Sequence, residues 1–493
     1  MDAFLSAVLG ELVARSINFI TSKCSKPPAL ALEDSLQRAL LRAHVIVDEA
    51  MGRNIINQAM LLKLNMLRDA MHKGYYALDN FRYQPHDAED NKDQAVSRSV
   101  FLFVANRVKV PYSSCRSTQI LGQLHEALDR LSSMIVDVDV LVLFLMSCPR
   151  RYRQPYSMHL LLENSMFGRQ METEYVINFL LHSESPGAEE LEVLPIVGPG
   201  RVGKTTLVTH VCKDERVRNH FLEIVLLNDH DFRDDELAAL RQRCLMKNHD
   251  CGWNLNRDGK FLVVVEATGD FNEDAWNRLY SASKRWVPSG SKIIITSRTD
   301  KISKVGTTRS LTLKFLPHEA YWYFFKTLAF GSTNPSAHPR LAYLAMEMAR
   351  TLNGAFVSAQ ITARVLRDNF DIRFWCKVLA LYKEFVEKHG SKFGGHPFAT
   401  LNQNRPALLG RLGGTSADLM VHHHYECSSQ VEVPNIKVQD VMFGSVKAHG
   451  KFKFVWSSPI PPYYNHIYTC EILELKSKAG KRKRTTETGV TLS

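Results

Sequence analysis

Lys204 and Thr205 close the octapeptide Gly198-Pro-Gly-Arg-Val-Gly-Lys-Thr205, which satisfies G-x-x-x-x-G-K-[ST] at every position. Each residue type has a task that phosphate sets. Gly198, Gly200 and Gly203 let the backbone curl so that successive N–H groups face an anion, with Arg201 and Val202 carried on the same curve. The Lys204 ammonium reaches β- and γ-phosphates as a point charge. The Thr205 hydroxyl is a hard oxygen ligand of the kind magnesium takes. A helix starting near Thr206 adds its N-terminal N–H groups and dipole. The flanks fit, with the apolar run Val193–Val197 before the loop and the helix-like run Thr206–Cys212 after it. This chemistry is the binding of a purine nucleoside diphosphate or triphosphate with Mg2+.

Two further residues complete the expected site. Glu266 ends the apolar run Phe261–Val265 and is the candidate carboxylate for magnesium, beside Thr205. Arg298 ends the run Lys292–Thr296 and is positioned to sense a γ-phosphate. A nucleotide-hydrolysing enzyme of this class also needs a carboxylate to orient or deprotonate water, and the residue after Glu266 is Ala267. No catalytic residue is assigned, and the expected activity is at most that of a slow ATPase.

These residues need a parallel sheet to hold them. From residue 156 to about 330, short β-rich runs (Val193–Val197, Ile224–Leu227, Phe261–Val265, Lys292–Thr296) alternate with helical stretches, which predicts an α/β domain. Residues 1–147 read instead as an antiparallel helical bundle. Its apolar residues recur at helical spacing in Phe4–Ile20, Leu36–Val47, Ile55–Tyr83 and Leu121–Met146, with a polar loop at Pro85–Arg98. Residues 331–386 read as a helical subdomain, 387–475 as a partly β region, and 476–493 as a basic disordered tail. The fold class is thus multidomain, α and α/β.

The net charge is +11, of which six positives lie between Lys476 and Arg484, so the remainder carries about +5. That balance disfavours a nucleic-acid-binding body. Lys481–Arg484 reads either as a nuclear localisation signal or as a solvated tail. Nine cysteines are scattered without C-x-x-C pairs, which favours a reducing compartment. Met134–Met146 is too short and too acidic to span a bilayer, which needs roughly 20 apolar residues. His422, His423, His424 and Cys427 invite a metal-site reading. Adjacent strand residues alternate faces, so an exposed loop is favoured over shared ligation. Trp456 and Pro461–Tyr468 read as the core of a small β-module.

Taken in order, the motifs resemble those of plant NLR immune receptors, with a coiled-coil domain followed by an NB-ARC switch module. Phe167-Gly168-Arg169-Gln170, Cys212–Phe221, Gly290–Arg298 and Leu316–Gly331 are similar to successive pieces of that module, and residues 1–147 to the coiled-coil domain. The departures are specific. Glu266-Ala267 stand where the family usually has two aspartates. Gly354-Ala-Phe-Val357 stands where it has G-L-P-L against the base. Tyr75–Asp79 retains one acid of the EDVID-like patch. Met420–His424 is only a look-alike of M-H-D, and no leucine-rich repeats follow. The resemblance implies a switch in plant defence that exchanges ADP for ATP, and Ala267 makes weak or no hydrolysis the expectation. It also implies protein partners through the N-terminal bundle and self-association; the expected location is cytoplasmic, or nuclear through Lys481–Arg484. The alternative is a decoy, adaptor or regulator of full-length receptors in which nucleotide is structural or vestigial.

Overall fold

The computed structural model describes residues 28–53, 55–83, 114–136, 138–149, 166–182, 191–228, 259–267, 271–412, 418–427, 433–446, 450–458 and 464–473. The expected first helix, the Pro85–Arg98 loop and the Lys481–Arg484 run lie outside these. The chain divides into two units, the first drawn from residues 1–84 and 110–153, the second from 85–109 and 154–493.

The first unit is helical: α1 (Pro28–Met51), α2 (Gln58–Tyr83), α3 (Ser114–Val136) and α4 (Val138–Ser147). Leu36, Leu40, Ala43 and Val47 of α1 meet Leu67, Met71 and Leu78 of α2 and Leu124 and Leu131 of α3 in one core. The i, i+3/i+4 spacing of each set puts it on one helix face. Three helices crowd at Gly74, where a Cβ would stand 2.8 Å from the Leu40 side chain and 3.0 Å from Leu131. Arg82 near the end of α2 bonds Glu33 near the start of α1 at 2.6 Å, as antiparallel neighbours must. Leu121–Met146, read as one helix, is divided between α3 and α4. Asp79, the acid remaining in the Tyr75–Asp79 segment, is buried in this bundle.

The second unit begins with α5 (Gln170–Leu181) and a five-stranded sheet of β1 (Glu192–Val197), β2 (Glu223–Asn228), β3 (Phe261–Ala267), β4 (Lys292–Ser297) and β5 (Leu311–Thr312). The order is β2-β3-β4-β1-β5 and every pair is parallel. Strands β1, β3 and β4 read as continuous apolar runs because both faces are covered, while the edge strand β2 leaves Leu226 exposed. Val193, Val197, Val263, Val265, Ile293 and Ile295 point to one side, against Trp276 and Leu279 of α8 (Glu273–Trp286). Leu194, Ile196, Leu262, Val264 and Ile294 point to the other. They meet α5, α6 (Lys204–Lys213) and α7 (Glu215–His220) through Val176, Ile177, Leu207, Val211 and Val217. The two-residue β5 carried no signal of its own length and was not foreseen.

Four helices follow: α9 (His318–Phe330), α10 (Pro339–Leu352), α11 (Phe356–Asp368) and α12 (Ile372–Phe393). Their core is aromatic, with Trp322, Trp375, Phe324 and Phe325 fully buried. Helix α12 runs through the 386/387 boundary drawn from composition. Short α13 (Pro397–Asn402) and α14 (Val438–Met442) accompany an antiparallel sheet of order β6-β7-β9-β8, made of β6 (Ala407–Leu409), β7 (Asp418–Cys427), β8 (Lys451–Ser457) and β9 (Asn465–Leu473). His389 of α12 accepts the Leu408 N–H through Nδ1 at 3.2 Å, fixing helix to sheet. Trp456 is a buried core residue of this sheet, as its aromatic surroundings suggested. His422–His424, read as an exposed loop, are instead in β7, and His424 is buried. Among the described residues no helix is long and apolar enough to cross a membrane.

Candidate functional site

Parallel strands leave their C-terminal ends and the loops beyond them on one edge of the sheet, the usual ligand edge of open α/β folds. Residues Gly198–Gly203 turn at that edge between β1 and α6. Gly198 N–H bonds the Ser297 carbonyl at 3.2 Å, tying the loop to the end of β4. Gly203 has φ +96°, which suits glycine, and caps α6. Arg201 also sits in the left-handed region, at φ +61°. Val202 points inward to the core below the loop.

Lys204 folds back over the loop, its Nζ donating to the Gly198 and Pro199 carbonyls at 2.7 and 2.9 Å. Thr205 Oγ1 donates to Glu266 Oε1 at 2.5 Å, joining the first turn of α6 to the end of β3. A hydroxyl and a carboxylate in contact form a hard-oxygen pair of the kind Mg2+ accepts together with waters and phosphate. The donor set fits that ion. The Ala267 side chain beside them is buried and offers no proton acceptor. Among the described residues no group of three metal-binding side chains occurs, including at His422–His424.

Arg298 reaches the loop from β4, its Nε 3.5 Å from where a Cβ on Gly200 would lie. The same Cβ would stand 2.2 Å from the Asn402 carbonyl at the end of α13, so glycine is required there. Gly200→Ala should therefore push α13 off the loop at a stability loss of about 1–3 kcal/mol, as overpacking does. Hydrogen exchange should show lost protection at residues 397–404, and unchanged protection would refute the contact.

A cavity of about 340 Å³ opens beside the loop, lined by Pro199 and Gly200, by Phe315, Leu316, His318 and Tyr321, by Arg350, Asn353 and Gly354, and by Asn402 and Gln403. That volume lies at the lower end of ligand pockets, which run roughly 300–1,000 Å³. Asn353 and Gly354 both take positive φ, turning the chain from α10 into α11 along the cavity wall. Tyr321 is fully buried and donates to the Ala355 carbonyl at 3.0 Å, and burial pushes its hydroxyl pKa well up. Burial, then the nearby Arg350 charge, lowers the His318 pKa.

Sequence reasoning missed several of these groups. Arg169 bonds the Lys314 carbonyl, lies 3.5 Å from the Val202 carbonyl and pairs with Glu172 at 3.0 Å, so it braces the loop from the start of α5. Its place in Phe167–Gln170 was the available signal. His318, Arg350 and Asn402 carried none, because nothing in their local sequence says that they face the loop. The expected residues Gly198–Thr206 and Glu266 do come together, and Arg298 joins them at Gly200.

A phosphate loop after the first strand of a parallel sheet, with a threonine and an acid in contact behind it, defines a P-loop nucleotide-binding domain. Residues 169–334 match the NB-ARC domain family, and the chain is homologous to plant disease resistance proteins. Disease resistance protein RGA2 of Solanum bulbocastanum is 27% identical over 228 residues, which cover 44% of this chain and 23% of that one. Putative disease resistance RPP13-like protein 1 of Arabidopsis thaliana is 21% identical over 402 residues, covering 77% and 37%. The chain thus matches less than a quarter of the length of RGA2. Among solved structures, a chain in the structure of Drosophila ORC bound to DNA aligns at TM-score 0.26 and 13% identity, over 46% of this chain and 65% of that one. That likeness is too slight to bear on fold or function.

Proposed function

We propose that the chain is a nucleotide-dependent switch in plant defence signalling, binding ADP or ATP with Mg2+ and hydrolysing it slowly or not at all. The observation that carries this is the 2.5 Å contact between Thr205 and Glu266, because it assembles a cation site directly behind the phosphate loop. Gly198, Gly200, Arg201, Val202, Gly203 and Thr206 shape the loop around the phosphates. Lys204 supplies the charge, and Arg298 reports the γ-phosphate. Thr205 and Glu266 would hold Mg2+, which would neutralise phosphate charge. The cavity between Pro199–Gly200 and Phe315–Gly354 receives the nucleoside.

A switch needs a ligand that distinguishes two arrangements. Asn402 touches Gly200, so the segments beyond the helical subdomain rest on the loop that binds phosphate. Occupancy of that loop biases their position. The helical first unit serves protein partners, and Leu41 with Val45 and Leu62 with Met66 offer half-exposed apolar pairs one turn apart for contact.

Single-turnover hydrolysis tests the weak-turnover half of the reading. With Ala267 beside Glu266 the rate should fall well below about 1 per second, the low end of typical enzymes. Turnover at or above that rate would refute it. The second reading, a decoy or regulator of larger receptors with structural nucleotide, is favoured by Gly354–Val357, which lacks the proline expected against the base. In that case ADP co-purifies and does not exchange with added ATP.

A further inference from the structure

His424 of β7 and His466 of β9 form a buried pair beside the phosphate loop. His424 Nε2 and His466 Nδ1 are 3.2 Å apart, and their rings lie 12° from parallel. Each residue is 6% exposed. Tyr468 packs on His424 and Trp456 on His466. A bulge between Val421 and His423 makes this possible. It shifts the alternation of β7 so that Val421 and His424 are both buried while His423 is exposed.

The pair belongs to one interface with the loop. The His424 N–H donates to Asn404 Oδ1 at 3.0 Å, and two residues earlier the Asn402 carbonyl packs on Gly200. The charges bearing on His424 are those of Arg201 on the loop, Arg298 at the end of β4, and the neighbouring imidazoles His466 and His423. Arg201 bears on His466 as well. All of these are cationic or become so in acid. A hydrogen bond between ring nitrogens needs one N–H and one lone pair, which two imidazolium rings cannot supply.

We propose that this interface is a proton-gated lid, in which the C-terminal sheet stays on the phosphate-binding loop only while His424 and His466 are neutral. The proposal rests on Gly198–Thr205 being the regulated site, but its readout needs no nucleotide, so failure of nucleotide binding and failure of the lid are distinguishable.

Burial first, and then Arg201, lowers both pKa values, that of His466 to about 3. An opened pair returns to the ordinary imidazole value near 6.5. The closed arrangement therefore has its full stability above about pH 6.5 and loses it progressively as pH falls from there toward about 3. Between about pH 7.5 and about pH 5.5 each histidine multiplies the opening constant about tenfold, so the two together give at most about 100-fold.

Hydrogen exchange of the full chain without nucleotide, corrected for intrinsic rates, reads this directly. Residues 198–206 and 418–427 should open up to about 100-fold more at the lower pH, and His424→Gln with His466→Gln should flatten the dependence. Protection that ignores pH, or an equal pH response in the double variant, would overturn the proposal. Should the double variant not fold, histidine ring resonances of the wild type decide. Of the 19 histidines, the two assigned to His424 and His466 must stay neutral in the folded protein well below pH 6.5, and titration of either near that value overturns the lid.

Discussion

Lys204→Ala should lower the affinity for Mg2+·ADP by about 10- to 100-fold, as loss of a charge-assisted contact of about 1.5–3 kcal/mol implies. The folded protein should lose little, because Lys204 is only part-buried and donates to two loop carbonyls that water can also satisfy. Those carbonyls hold the ammonium over the loop before nucleotide arrives, so binding need not draw a long flexible side chain in from solvent. Without it, the backbone N–H groups and the helix N-terminus still attract an anion, which is why binding is weakened rather than abolished. Lys204→Arg should restore only part of the affinity, since a planar guanidinium cannot sit between two carbonyls as a point charge can. Calorimetric titration of wild type and both variants, with thermal unfolding as the folding control, makes the comparison. Equal affinities in wild type and Lys204→Ala would remove the nucleotide reading altogether.

Legibility followed range. Gly198–Thr205 could be read because phosphate fixes residue type at four of eight positions, and three of the strands because burial on both faces leaves unbroken apolar runs, while the edge strand β2 was legible from its apolar run although Leu226 is exposed. Glu266 was found as the polar end of such a run. What could not be read is what comes from elsewhere in the chain. Nothing near Asn402 says that its carbonyl meets Gly200, and nothing near Arg350 or His318 says that they share a cavity wall with Pro199. The histidine run was misread for a local reason. Alternation along a strand assumes an unbroken register, and one bulge at His422 turned His424 inward. Trp456 and Tyr468 were read correctly because their size alone argues for burial, whichever partners they have.

Arg216→Ala should destabilise the α/β domain by about 3 kcal/mol, the lower end of the 3–5 kcal/mol that follows when one partner of a buried ion pair is removed. Arg216 at the start of α7 grips Glu174 of α5 with both amino groups, at 3.0 and 3.1 Å, and its Nε and Nη2 also bond Asp214 at 3.0 Å. Asp214 in turn accepts the Arg216 N–H at 2.9 Å and caps that helix. Glu174 is 1% exposed and the Arg216 side chain 24%, so the arginine retains some contact with water while the glutamate has almost none. Truncating the arginine removes the bidentate partner from a carboxylate that water cannot easily reach, and it loosens the cap. The lower figure is chosen because solvent already screens part of the guanidinium. For a domain of this size the melting temperature should drop by roughly 6–12 °C, at about 2–4 °C per kcal/mol. Arg216→Lys should recover less than half, because an ammonium cannot fork onto a carboxylate. The pair itself need not be a net gain. Replacing both residues, as Glu174→Leu with Arg216→Met, should cost far less than Arg216→Ala alone, since no charge then remains buried between α5 and α7. If the double variant proved as unstable as the single one, the loss would lie in the Asp214 cap and not in the buried carboxylate.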